Sequence, residues 1–159
     1  MKKLEADPEY QDMRKRKDLE LIEREAILAE DKRSLIEELA EAGYEVKSVW
    51  DFVNNNNGYE FLRKFEGQYE SAYSILVKHL DIEHHPKIRE GIIRALTEKG
   101  AGGVASAALL SAFYQEQDSN IRWVLANALR TVLTRSQKAK HPEYKEVCCL
   151  PHIIENIMF

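Results

Sequence analysis

A weak internal repetition limits what this chain can fold into more than any other feature. A shift of 33 residues carries Ile88-Arg89 onto Ile121-Arg122 and Ala95-Leu96 onto Ala128-Leu129. The same shift carries Ala72 onto Ala105 and Leu76-Val77 onto Leu109-Leu110. A period of this length with a helical pattern predicts stacked helix pairs, each too small to bury its apolar stripe alone. The small residues Ala105, Ala107, Ala108, Ala126 and Ala128 suit closely approaching helix axes, and Gly91 falls opposite Val124.

The helix boundaries are written in the chain. Asp7-Pro8-Glu9 reads as a helix start, and neither glycine nor proline interrupts the next residues through Ala42. Leu19, Ile22, Ala26 and Ala29 form one stripe, and Leu28, Leu35, Ile36 and Leu39 form another. The change of face near Glu30-Asp31-Lys32 predicts a break, and Gly43 suits the position just past a helix end. Ser48 caps a short helix carrying Trp50 and Phe52, followed by a turn at Asn54–Gly58. Further helices are expected from about Tyr59 through Leu80 with an interruption at Gly67, from His85-Pro86, from the Gly100–Gly103 boundary, from Asp118 or Ser119, and from near Pro142. Ser136–Lys140 reads as a polar connection, and Pro151 as the end of the last helix. No segment shows sustained period-2 alternation, so the fold class is all-α.

Charge is unevenly spread. Residues 1–45 hold fourteen acids and nine bases, a net of −5, so the remainder of a chain of net −4 carries +1. The basic run Arg14–Lys17 is flanked by Glu9, Asp12, Asp18 and Glu20 at helical ion-pair distances and reads as a solvated face. The only two cysteines, Cys148 and Cys149, are adjacent and poorly placed for a mutual bridge, which suits a reducing compartment. With neither an apolar leader nor a spanning segment, a cytoplasmic protein with no membrane partner is expected.

The segment Asp118–Leu129, DSNIRWVLANAL, resembles the first helix of a HEAT repeat, with its turn residue, Ile-Arg pair and Ala-x-Ala-Leu run. Pro86–Leu96, PKIREGIIRAL, is similar, although His85 stands where the later repeat has Asp118. The resemblance covers roughly residues 59–145. It implies a short right-handed α-α superhelix, a HEAT-like solenoid spanning residues 46–159, with residues 1–45 as an N-terminal helical segment capping it. A HEAT-like fold says little about function.

Candidate chemistry is sparse. Arg89 and Arg122 occupy equivalent positions, suited either to a ridge of guanidiniums for anionic groups or to ion pairs with Glu83, Glu90 or Asp118. Trp123 and Asn127, four residues apart, share a helix face and form a candidate partner-binding spot, with Trp50 and Tyr114 as candidates for added aromatic surface. His79, His84 and His85 crowd one connection beside Asp81 and Glu83. Adjacent histidines diverge, so surface loop residues are expected and no metal site. Cys149 and His152 lack a third group for nucleophilic catalysis. No glycine-rich phosphate loop, catalytic triad spacing or paired carboxylate stands out, so neither enzymatic activity nor a cofactor is expected.

These features point to a non-enzymatic protein–protein interaction module or scaffold whose partner is another protein. The alternative is a HEAT-like nucleic-acid-binding protein that uses Arg and Lys on phosphates, which the near-neutral repeat region disfavours. Ile153, Ile154, Ile157, Met158 and Phe159 leave an apolar C-terminal tail. It is expected to dock on the Ile121–Val132 helix or to form a homodimer.

Overall fold

The computed structural model describes residues 8–55 and 67–149, and all regular structure among them is helical. The helices are α1 (Pro8–Asp31), α2 (Arg33–Glu41), α3 (Trp50–Asn55), α4 (Tyr73–Leu80) and α5 (Pro86–Ala95). They continue with α6 (Gly102–Gln115), α7 (Ser119–Val132), α8 (Arg135–Lys140) and α9 (Tyr144–Cys149). Short 3₁₀ turns at Glu70–Ala72 and Lys99–Ala101 lead into α4 and α6. The expected cap at Asp7, most of the turn at Asn54–Gly58, the helix start near Tyr59, Pro151 and the apolar tail lie outside the described residues.

Local signals explain the helix ends. The change of face at Glu30–Lys32 becomes a break at Lys32 between α1 and α2. Gly43, at φ +93°, closes α2: its N–H donates to Ala40 O and that of Tyr44 to Leu39 O, at 2.9 Å each. This double bond pattern needs a left-handed residue, which glycine supplies without steric cost. Asp118 caps α7 by accepting from the N–H groups of Asn120 and Ile121, both at 2.9 Å. His85, its equivalent 33 residues earlier, fills the same role with a ring nitrogen, Nδ1 accepting from Lys87 N at 3.2 Å. The connection expected at Ser136–Lys140 is instead helical. Thr134 and Gln137 form a reciprocal capping box that starts α8.

Packing is in two layers. α2 packs on α4 and α4 on α6; α3 packs on α5, α5 on α7 and α7 on α9. α4 with α5, and α6 with α7, are the contacting pairs joining the layers. The 33-residue shift therefore maps one pair onto the next, and burial follows it. Ala72 and Ala105, Leu76 and Leu109, Ile92 and Leu125, Ala95 and Ala128, and Leu96 and Leu129 are all fully buried. One apolar core runs from Leu35 and Leu39 on α2 to Tyr144 on α9.

The equivalence breaks at Gly91 for a steric reason. A Cβ there would sit 2.9 Å from Val49 Cγ2 and 3.0 Å from Trp50 Nε1, because α3 lies against α5 at that point. Val49 is β-branched and buried and cannot swing away. Gly91→Ala is expected to destabilise by about 1 kcal/mol, overpacking of roughly 1–3 kcal/mol being offset by about 1 kcal/mol of helix propensity. Denaturant unfolding measures the difference.

The N-terminal segment divides at the break. Leu35 and Leu39 of α2 are fully buried, whereas no residue of α1 is, and α1 meets the rest of the fold near its C-terminal end, against α2 and through Asp31. Removing residues 1–18 is therefore expected to change stability by no more than about 0.5 kcal/mol, read by thermal unfolding of the shortened chain.

Candidate functional site: the face of α3, α5 and α7

α7 presents Trp123 and Asn127 one turn apart, as their spacing predicts, and both line a cleft of about 300 Å³. Its other walls are Val53 of α3, Arg94 of α5, Tyr69, Thr97, Glu98 and Val124. Asn127 Nδ2 donates to its own helix at Trp123 O, 3.0 Å away. Trp123 is half-buried, its ring packed against the core. Arg94 donates from Nε to Glu90 Oε1 at 2.7 Å, and its guanidinium stands 5.9 Å over the ring of Trp50. That ring is fixed by Nε1 donating to Lys87 O at 3.2 Å. The buried Tyr69 hydroxyl donates to Ala95 O at 2.8 Å, and burial pushes its pKa far up, so the phenol stays protonated. The face thus joins two indoles, a stacked guanidinium and an amide on three helices set by the core.

Arg89 and Arg122 are not part of this face. Arg89 lines a second cleft of about 430 Å³ between the α4–α5 and α6–α7 loops. There it donates from Nε to Glu116 Oε2 at 3.1 Å and from Nη1 to Leu80 O at 2.9 Å. Glu116, rather than Glu83, Glu90 or Asp118, is its acid, so Arg89 ties one helix pair to the next. Asp81, Glu83, Glu116 and Asp118 also line that cleft, which makes its chemistry acidic. Arg122 is exposed, with its guanidinium 5.0 Å from the centroid of the Phe113 ring. Tyr114 is also elsewhere, bonded to Glu143 Oε2 at 2.9 Å and to His141 Nδ1 at 3.1 Å.

The histidines correct the sequence reading. His79 and His84 are buried, not surface loop residues: His79 lies on α4 facing Glu38 of α2, and Asp31 at the end of α1 bonds His84. Asp31 Oδ1 lies 2.9 Å from His84 Nδ1, and Asp31 Oδ2 accepts from His85 N at 2.7 Å. His84 Nε2 in turn lies 3.0 Å from His79 Nδ1. The carboxylate fixes the tautomers: His84 donates to Asp31 and accepts from His79. Neutral His79 then carries a bare Nε2, 3.4 Å from Glu38 Oε1 and without a hydrogen bond. Burial holds the His79 pKa below its ordinary value, outweighing the opposing pull of Glu38. Glu38 is held low chiefly by Lys78, whose Nζ donates to it at 2.7 Å. His84 and His85 diverge as expected, and no group of three or more possible metal ligands converges among the described residues.

No helix among the described residues is long and apolar enough to cross a membrane. Comparison with known protein families, curated proteins and solved structures finds no match to this chain.

Proposed function

We propose that this chain is a non-enzymatic interaction module whose partner is another protein. In this reading the two layers form a short HEAT-like solenoid, and the α3–α5–α7 face is the binding surface. The observation that carries it is the convergence of Arg94, Trp123 and Asn127 around one cleft, with the Trp50 ring beside it under the Arg94 guanidinium. Indole and guanidinium side chains dominate binding energy at protein interfaces because they bury large areas while keeping a polar handle. The helices hold them in place before binding, which lowers the ordering cost.

The nucleic-acid alternative fits less well. Arg89 is neutralised by Glu116 within an acid-lined cleft, the reverse of a phosphate-binding ridge. Duplex binding that is tight in low salt and falls steeply as salt rises would favour that alternative.

Trp123→Ala tests the protein-binding reading. Proteins retained on the immobilised full chain are identified by mass spectrometry, and the affinity of the purified partner is then measured for both forms. A loss of at least about 2 kcal/mol, thirtyfold or more in Kd, is expected for an anchor tryptophan. An unchanged Kd for a folded variant would remove Trp123 from the interface.

A further inference from the structure

α1 is a 24-residue helix with no buried residue, yet Leu19 and Ile22 are each 60% exposed. With Ala26 and Ala29, also exposed, they form a stripe spaced three, four and three residues apart. That spacing aligns the four side chains along one face of the helix, the arrangement in which a partner helix can interdigitate. The α2 contact does not cover the stripe: Leu28, half-buried against the core, lies on the other side of the helix.

The edges of the stripe say what kind of helix fits. Asp18 and Glu25 flank it on one side, Glu23 and Glu30 on the other. Glu30 is paired with Arg33 at 2.8 Å; no ion pair among the described residues engages Asp18, Glu23 or Glu25. A second copy is a poor occupant. Parallel self-pairing sets Asp18 against Glu23 and Glu25 against Glu30. Antiparallel pairing over the same four apolar positions sets Glu23 and Glu25 against their own copies, with Arg16 and Lys32 compensating only at its ends.

We infer that the Leu19–Ala29 stripe of α1 is a second docking surface, for an amphipathic helix of another protein with Lys or Arg beside its apolar seam. It is separate from the Trp123 face and stands or falls apart from it. Leu19 and Ile22 supply the apolar seat, and the flanking carboxylates select the sign of the partner's charge.

The test uses two labelled synthetic helical peptides with the same Leu/Ile seam, one with Lys at all flanking positions and one with Glu, titrated against the full chain by fluorescence anisotropy. The Lys peptide is expected to bind at least tenfold tighter than the Glu peptide and to weaken as salt rises. Leu19→Gln/Ile22→Gln should abolish its binding, and Glu23→Lys/Glu25→Lys, which leaves one acid and one base on each side of the stripe, should remove the preference. Neither pair alters a buried residue, and circular dichroism checks that the helix content is kept. Equal binding of both peptides, binding of neither, or binding indifferent to the Gln variant would overturn the inference. So would sedimentation of the full chain as a dimer that Leu19→Gln/Ile22→Gln converts to monomer, which would assign the stripe to self-association.

Discussion

Leu125→Ala is expected to cost about 2–5 kcal/mol, a large part of the total stability of a domain this size. Leu125 is fully buried on α7, which packs against α5, α6 and α9. Neighbours drawn from three elements cannot all collapse into the space left by an isobutyl group, so a cavity term adds to the lost transfer energy. The melting temperature should fall by roughly 5–20 °C. Its counterpart Ile92, also fully buried on α5, should behave alike on truncation if the two helix pairs are equivalent. Near-neutral results at both positions would mean that the packing face of these helices is misassigned.

His84→Ala is expected to be comparably damaging, about 2–4 kcal/mol, because it removes a buried ring and the acceptor for His79 together. The loss should loosen α1 and α2 from the α4–α5 loop, since His84 is the group that Asp31 grips through its side chain. The same cluster makes stability pH-dependent. His79 has a folded pKa below its ordinary 6.5, so its contribution is fully present above about pH 6.5 and is lost as pH falls through the folded value. Glu38, lowered from an ordinary 4.5, adds a second loss as pH falls from there. Denaturant midpoints from pH 8 to pH 4 should fall in that order. His79→Gln, which cannot take up a proton, should flatten the first step, and an unchanged profile would refute the role of His79.

The helix starts at Pro86 and Asp118, the break near Lys32 and the buried positions of the repeat were readable because each depends on residues a few places apart. Leu96, Leu109, Leu125 and Leu129 fall where their helical spacing puts them, at zero exposure. What the chain conceals are contacts over long separations. Asp31 reaches His84 across 53 residues and Glu38 of α2 faces His79 across 41, and these contacts accompany the burial of two histidines that the sequence places at a surface connection. Arg89 takes Glu116 from the next pair rather than a nearer acid for a similar reason: the α6–α7 loop stacks over the N-terminus of α5. α8 is different, because the Thr134-x-x-Gln137 capping signal stood in the chain and the basic composition around it masked the signal. Of the candidate face, the Trp123–Asn127 pairing was visible from spacing. Arg94, Glu98 and Tyr69 joined it only through the packing of α5 on α7.

Photo-crosslinking tests the interaction face most directly. A benzophenone amino acid in place of Trp123 probes the α3–α5–α7 face, and the same group in place of Val104, exposed on α6 in the other layer, is the control. The expected result is a crosslinked partner from position 123 and none from position 104. A crosslink from 104 with none from 123 would contradict the assignment and move the binding surface to the opposite layer.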